Sequence, residues 1–289
     1  MVPRDVLERS KKEKNDEYYT LYESIEKELS RYKAYFRGKR LYCPCDDPSF
    51  SNFYRFFVDH FFDYGLKEVV FTWLGGSEFY KLIRRGDTLY NECGLTFNSG
   101  DFAENGHFFR ACDIVVTNPP FSLWRKFFDM IMKYKKDFLV VGSLNCLKYK
   151  NVFPYVKAGK VRVGYNSILN YLNCNKNSDR YGTVTKISNG IWLTTLPVTE
   201  RRAIPFNNSG KALSLYDNYD AVNVDNIVDI PPDYDGIMGV PVTIFTYDIR
   251  NYDVLGLTAA FSAGKDALVN GKKLFTRVFI QKKKNSYAV

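Results

Sequence analysis

At 289 residues, of which 45% are apolar, the chain is long enough to bury a sizeable core as one large domain or as a domain with an added lobe. No signal peptide is evident and no apolar run approaches the roughly 20 residues of a membrane span, so no membrane partner is expected, and a cytoplasmic location is. A formal charge of +9 points to a polyanionic partner.

Residues 1–14 are charged and lack periodicity, which predicts a flexible leader. Leu21, Ile25, Leu29 and Tyr32 recur at helical spacing, with Gly38 just beyond, and predict a helix over 16–36. Lys39–Cys43 reads as the first strand, and Ser51–Tyr64 as an aromatic-rich helix stopped at Gly65. Glu68–Trp73 reads as the second strand. Thr88–Tyr90 and Leu95–Phe97 are expected to form a hairpin. Asp113–Thr117 is a β-branched, apolar strand. A helix follows, with Ser122 as N-cap and Leu123, Phe127, Phe128, Ile131 and Met132 at helical spacing. Phe138–Val141 is a further strand, ended by Gly142. Strands alternating with helices argue for an α/β fold whose central sheet is mostly parallel and flanked by helices. That pattern covers 15–146. After about 146 it loosens, and 147–289 is expected to supply the remainder of the sheet plus a small, irregular β-rich lobe.

Asn118-Pro119-Pro120-Phe121 closes the strand 113–117. In an open α/β sheet this is where ligands bind. Pro119 has no N–H, and its fixed φ aims its carbonyl. Asn118 offers a second acceptor and Phe121 a flat face. Two acceptors beside an aromatic plane suit a planar heterocycle bearing an exocyclic amine, and adenine is the obvious candidate. No Ser/His/Asp set or carboxylate pair competes with this reading, and His60 and His107 are the only histidines. The six cysteines, at 43, 45, 93, 112, 146 and 174, read as reduced core thiols without metal-ligand spacing, so no metal is expected.

Residues 147–186 hold eight Lys or Arg, among them Lys148, Lys150, Arg180 and Lys186, against Asp179 as the one acid. This block reads as a phosphate-tracking surface for nucleic acid. Residues 212–238 hold six Asp and no basic residue, and these sit in turns with a structural role.

The Asn-Pro-Pro-Phe segment resembles motif IV of S-adenosylmethionine-dependent amino methyltransferases. Asn15 to Thr20, Cys45-Asp46-Asp47-Pro48 with Ser51-Asn52-Phe53, Asp113 to Ser122, Trp192 to Leu196, Asn218 to Val224 and Tyr234 to Thr243 occur in that order. Together they resemble the EcoRI-type adenine-specific DNA methyltransferase family over about residues 15 to 280. The resemblance implies a Rossmann-like methyltransferase fold, S-adenosyl-L-methionine as cofactor and double-stranded DNA as partner. It implies methylation of adenine N6 in the setting of restriction and modification, in the cytoplasm of a prokaryote or a phage-infected host cell. Asn118, Pro119, Pro120 and Phe121 take the catalytic positions. Tyr18, Tyr19, Thr20, Cys45, Asp46, Asp47, Pro48, Asn52, Asp101, Phe102 and Asn118 take the cofactor positions. Capping of the helix from Ser51 is the competing reading of Asp46 and Asp47, and taken alone Gly100-Asp101-Phe102 equally suits a plain turn. Two departures stand out: Ser51, Asn52 and Phe53 replace the glycines usual after Asp-Pro, and the segment 252–270 is short. A methyltransferase acting on RNA or protein glutamine, and a nucleic-acid-binding protein without activity, are the alternatives.

Overall fold

Nine strands make the main sheet. In the computed structural model, which describes residues 18–74, 76–96, 104–173, 182–207, 212–258 and 266–283, the chain divides into two units. The first comprises Met1–Cys146 and Gly164–Pro197, the second Leu147–Val163 and Val198–Val289. The expected leader 1–14 lies outside the described residues.

The first unit runs β1 (Tyr18–Thr20), α1 (Tyr22–Leu29), α2 (Lys33–Phe36), β2 (Arg40–Cys43), α3 (Asn52–His60), β3 (Glu68–Phe71), β4 (Glu78–Arg85) and β5 (Thr88–Leu95). It continues through α4 (Gly106–Ala111), β6 (Ile114–Thr117), α5 (Trp124–Tyr134) and β7 (Asp137–Ser143), then resumes within β8 (Arg162–Asn173), whose first two residues belong to the second unit, and with β9 (Val184–Thr194). The sheet order is β1-β8-β9-β7-β6-β2-β3-β4-β5. Only β7, β6, β2 and β3 at its centre pair in parallel. The pairs β7–β9, β3–β4, β4–β5 and β1–β8 are antiparallel, so the sheet is mixed rather than mostly parallel. Helical crossovers feed the centre and impose parallel pairing there. A two-residue turn such as Gly86-Asp87, between β4 and β5, permits only antiparallel pairing.

The central strands are apolar without alternation because both faces are covered: Leu41, Tyr42, Cys43, Ile114, Val115 and Val116 are all buried. Trp124, Phe127, Phe128 and Ile131 supply the buried stripe of α5, at the i, i+3, i+4, i+7 spacing of a one-sided helix. Phe53, Phe56 and Phe57 do the same for α3, each contributing about 1.5–3 kcal/mol.

Several expected boundaries shift. Residues 18–20 form a strand, and helix begins only at Tyr22. The hairpin lies at 78–95, not between 88–90 and 95–97. A 3-10 turn, Phe121–Leu123, precedes α5, so Ser122 stands within the turn and Leu123 occupies the cap. Gly142 lies inside β7. An added Cβ there would stand 2.8 Å from Leu193 Cδ1 and 3.0 Å from Trp124 Nε1, so close packing, not chain reversal, requires glycine. Cys43, Cys112 and Cys146 are buried, Cys45 is half-buried, and Cys93 is exposed on β5. All five are free thiols.

The second unit contains α6 (Phe153–Lys157) and strands β10 (Ser214–Leu215), β11 (Val222–Asn223), β12 (Met238–Val240), β13 (Tyr252–Leu257), β14 (Leu268–Val269), β15 (Lys272–Lys273) and β16 (Val278–Lys282). Five of these form a sheet in the order β10-β11-β12-β16-β13. Tyr216, Ala221, Ala267 and Phe279 are the centre of one of its cores. The acidic stretch builds turns. Asp217 accepts from the main-chain N–H groups of Asn270 and Gly271 at 3.0 and 2.7 Å, and Asp225 accepts from Asn223 Nδ2 at 2.8 Å.

Candidate active site

β2 and β6 are adjacent and parallel, with Leu41 opposite Ile114 and Tyr42 opposite Val115. Their carboxyl ends therefore release two loops side by side: Pro44–Ser51 after β2, and Asn118–Pro120 after β6. One carboxylate joins them. Asp46 is 2% exposed. Its Oδ1 accepts from Ser51 Oγ at 2.8 Å and its Oδ2 from Thr117 Oγ1 at 2.6 Å. Ser51 in turn caps α3, its Oγ accepting from the N–H groups of Phe53 and Tyr54 at 3.0 and 3.3 Å. The Ser51 hydroxyl thus has its acceptor side filled and gives its one proton to Asp46. The main chain of Asp46 donates to Thr72 O at 3.0 Å, tying the end of β3 into the same arrangement.

Asp47 does different work. Its Oδ1 accepts from Ser49 N at 2.9 Å, and its carbonyl accepts from Phe50 and Ser51 N at 3.0 and 2.8 Å. It closes the turn Pro48–Phe50, while the helix is capped by Ser51. Asp47 Oδ2 makes no hydrogen bond among the described residues, and the side chain is half-buried. The loop reaches this shape without a positive φ among its described residues. Serine and asparagine therefore fit where glycines are usual.

On the β6 side, Asn118 is half-buried, Pro119 buried, and Pro120 and Phe121 half-buried. Pro120 O accepts from Leu123 N at 3.0 Å, so both prolines lie in a fixed path from strand to 3-10 turn. The Phe121 ring meets Tyr171 of β8 edge-on, with centroids 6.5 Å apart and planes at 78°. Tyr171 lies opposite Thr20 in the β1–β8 register, and Thr20 O accepts from Asn52 Nδ2 at 2.9 Å. The fold therefore links Thr20, Asn52, Asp46, Thr117, Phe121 and Tyr171 from four separate stretches of sequence. Tyr171 escaped sequence reading because the lysines and arginines of 147–186 drew the block toward a surface role; the apolar and aromatic run Val161, Val163, Ile168, Tyr171 carried the strand signal.

Burial dominates the electrostatics. It pushes the Asp46 carboxyl up to about 7, against the opposing pull of the Thr117 and Ser51 hydroxyls. Burial and the Asp46 charge push the Cys45 thiol well above its ordinary range, which removes it as a nucleophile. Because the folded carboxyl holds its proton more tightly than the unfolded one, it favours folding most below pH 4. That contribution is lost as pH rises toward 7, by an amount on the order of 3–4 kcal/mol. Thermal melts between pH 5 and 8 should accordingly show Asp46→Asn gaining on the parent as pH rises. Parallel curves would rule out a raised carboxyl.

The buried side-chain polar atoms without a hydrogen-bond partner among the described residues include Thr20 Oγ1 and, at the head of α4, both side-chain polar atoms of Asn105. Asp101 and Phe102 lie outside the described residues, as does Arg180. Tyr18 and Tyr19 stand on β1 beside Thr20. Lys148 and Lys150 belong to the second unit, whereas Lys186 lies on β9 of the first. Among the described residues no group of three or more His, Cys, Asp or Glu could hold a metal ion, and no helix is long and apolar enough to cross a membrane.

Residues 6–98 and 87–288 match the family described as Adenine-specific methyltransferase EcoRI. The chain is 34% identical over 322 residues to the Type II methyltransferase M.EcoRI of Escherichia coli, covering 96% of this chain and 97% of that protein. It is 32% identical over 313 residues to the Type II methyltransferase M.MgeORF184P of Mycoplasma genitalium, covering 95% and 98%. It is 31% identical over 318 residues to the Type II methyltransferase M.MpnI of Mycoplasma pneumoniae, covering 96% and 98%. No solved structure matches the chain.

Proposed function

Because this chain belongs to the EcoRI family of adenine-specific methyltransferases, we propose that it moves a methyl group from S-adenosyl-L-methionine to N6 of an adenine flipped out of double-stranded DNA. The observation that carries the site assignment is the proline-locked turn Asn118–Phe121, held through Thr117 and Asp46 against the loop after β2. The parallel centre β7-β6-β2-β3 is read as the Rossmann-like core. DNA is favoured over RNA or protein glutamine because all three relatives are named Type II methyltransferases. The enzyme acts where its DNA is, in the cytoplasm of a prokaryote or a phage-infected host.

The residues present fit the methyl donor. It carries an ammonium, a carboxylate, ribose hydroxyls and an adenine. Among the described residues, Asp47 offers a carboxylate oxygen that is not engaged, and Thr20 and Asn105 offer buried polar groups without hydrogen-bond partners. Asp46, its oxygens both engaged, serves as a positioning residue. When bound, the donor supplies an electrophilic sulfonium methyl.

Adenine N6 is a poor nucleophile, since its lone pair is delocalised into the ring. The Asn118 side-chain oxygen and the Pro119 carbonyl accept its two hydrogens. That geometry draws the nitrogen toward sp³ and directs its lone pair out of the ring plane. Neither acceptor reorganises during reaction, because both lie in a fixed turn. Phe121, braced edge-on by Tyr171, stacks on the flipped base, worth about 1–3 kcal/mol. The energy of flipping, a few kcal/mol, is met partly by this stacking. Lys148, Lys150, Lys186 and Arg180 are assigned to the phosphate backbone.

Transfer of tritium from labelled S-adenosylmethionine to unmethylated duplex DNA, with N6-methyladenine identified in the product, tests this reading. Label appearing only in RNA or protein, or nowhere, would overturn it. By calorimetry, Asp47→Ala should weaken donor binding by about 1.5–3 kcal/mol, the scale of a charge-assisted hydrogen bond. An unchanged dissociation constant would confine Asp47 to closing its turn.

A further inference from the structure

A cleft of about 420 Å³ lies wholly within the second unit, between α6, the start of β8, the segment 198–201 and the residues around β13. Its size is that of a small-ligand site. Five cations reach it from separate stretches of chain: Lys157, Arg162, Arg201, Arg250 and Lys283. Against them stand two carboxylates, Asp248 and Asp253. Asp248 is already engaged, accepting from Arg250 Nε and Nη2 at 2.9 and 2.6 Å, which holds its carboxyl below the usual range. Two of the cations are oriented by neutral acceptors. Arg201 donates to the carbonyls of Phe245 and Val163, and Lys157 donates to Leu255 O at 2.7 Å. Such bonds fix where each charge sits, and the Arg201 charge also helps lower the Asp248 carboxyl. Phe245, Tyr252 and valines give the cleft an apolar floor beneath this rim. A concave site with a cationic rim and an apolar, partly aromatic floor matches a phosphodiester with its attached sugar.

We propose that this cleft is a backbone site for the DNA substrate, taking a phosphodiester on Arg162, Lys283 and the anchored Arg201. The assignment rests on the DNA-methylating function proposed above and adds to it Arg201 and Lys283, which lie outside the block 147–186, beside Arg162 within it. Phosphate contacts hold the duplex in register and carry no sequence information. The cleft is therefore expected to matter equally for cognate and unrelated DNA.

The test is binding of a mixed-sequence duplex, followed by fluorescence anisotropy at several salt concentrations. The proteins compared are the parent, Lys283→Gln, the double variant Arg162→Gln/Lys283→Gln, and Lys272→Gln, which removes an exposed cation on β15 outside the cleft. Removal of one cation from the phosphate backbone should reduce the slope of log affinity against log salt by about one. The slope should thus fall by about one for Lys283→Gln and by about two for the double variant, with Lys272→Gln unchanged and every affinity for S-adenosylmethionine unchanged. Thermal melts show whether the double variant is folded; the single change, at an exposed side chain, decides the matter if it is not. An unaltered slope for Lys283→Gln, or an equal reduction for Lys272→Gln, overturns this site while leaving the enzyme's function standing. Failure of the parent to bind duplex overturns the DNA reading itself, and this inference with it.

Discussion

Replacing Asn118 by alanine should lower methyl transfer by about 10²–10³-fold, the scale seen when one preorganised hydrogen-bonding group is removed from a developing charge. The dissociation constant for S-adenosylmethionine should stay within about threefold of the parent if, as proposed, the deleted amide meets the target amine rather than the donor. The structure makes this separation reasonable. Asn118 follows Thr117, whose hydroxyl is held by Asp46, and precedes two prolines in a fixed turn. The backbone path is determined by groups that alanine leaves intact, so the Pro119 carbonyl keeps its aim. Single-turnover transfer and calorimetry, measured on the same preparation, read the two quantities. Activity within about threefold of the parent, under ~1 kcal/mol of transition-state stabilisation, would remove Asn118 from the site. A large drop in donor affinity would instead make Asn118 a donor-binding residue.

The largest effect on stability is expected at Glu28. This residue of α1 is fully buried, and all its partners donate to it. Oε1 accepts from Tyr165 N at 2.8 Å and Tyr32 Oη at 3.1 Å; Oε2 accepts from Asn166 N and Asn166 Nδ2, both at 2.8 Å. The carboxylate thus pins α1 to β8, Tyr165 lying 137 residues further along the chain. Burial pushes its carboxyl up while the four donors pull it back. Gly164 is shaped to this arrangement, since a Cβ there would stand 2.1 Å from Glu28 Oε1. Glu28→Ala removes every one of these acceptors and leaves two main-chain N–H groups buried beside a cavity. A loss of about 3–5 kcal/mol is expected. For a domain of this size that is a fall of roughly 6–20 °C in Tm. Glu28→Gln keeps one acceptor oxygen but turns an NH₂ toward donors, and should fall between parent and alanine. Denaturant unfolding of the three proteins measures this directly. A loss below about 1 kcal/mol for Glu28→Ala would mean that β8 is held by its strand pairing alone.

Much of the candidate site is legible in the sequence. Asn118–Phe121 stands out because prolines and a following amphipathic helix leave the chain few conformations. The order of strand, turn and helix over 113–134 is a local matter, set by β-branched residues and then by apolar spacing. Local signals also place β2, α3 and β3, each bounded by residues that start or stop an element. They fail at 18–20, where three residues are too few to show periodicity and the strand exists only because β8 lies beside it. They fail again at 78–95, where a half-buried hairpin has no strict alternation to display.

Short-range propensity, together with residues whose chemistry requires them to be adjacent, is enough for the α/β character, the parallel centre, the family and the turn assigned to the chemistry. It is not enough to separate two neighbouring aspartates. Asp46 has both oxygens engaged inside the protein and Asp47 keeps one without a hydrogen bond among the described residues, and nothing in the order of residues 45–48 distinguishes them. Nor does the sequence return 164–197 to the first unit, where Tyr171 meets Phe121 and Tyr165 meets Glu28. A carboxylate's role depends on what stands within about 3 Å of its oxygens. Those neighbours come from strands whose pairing is fixed by global burial, not by the residues on either side of them in the chain.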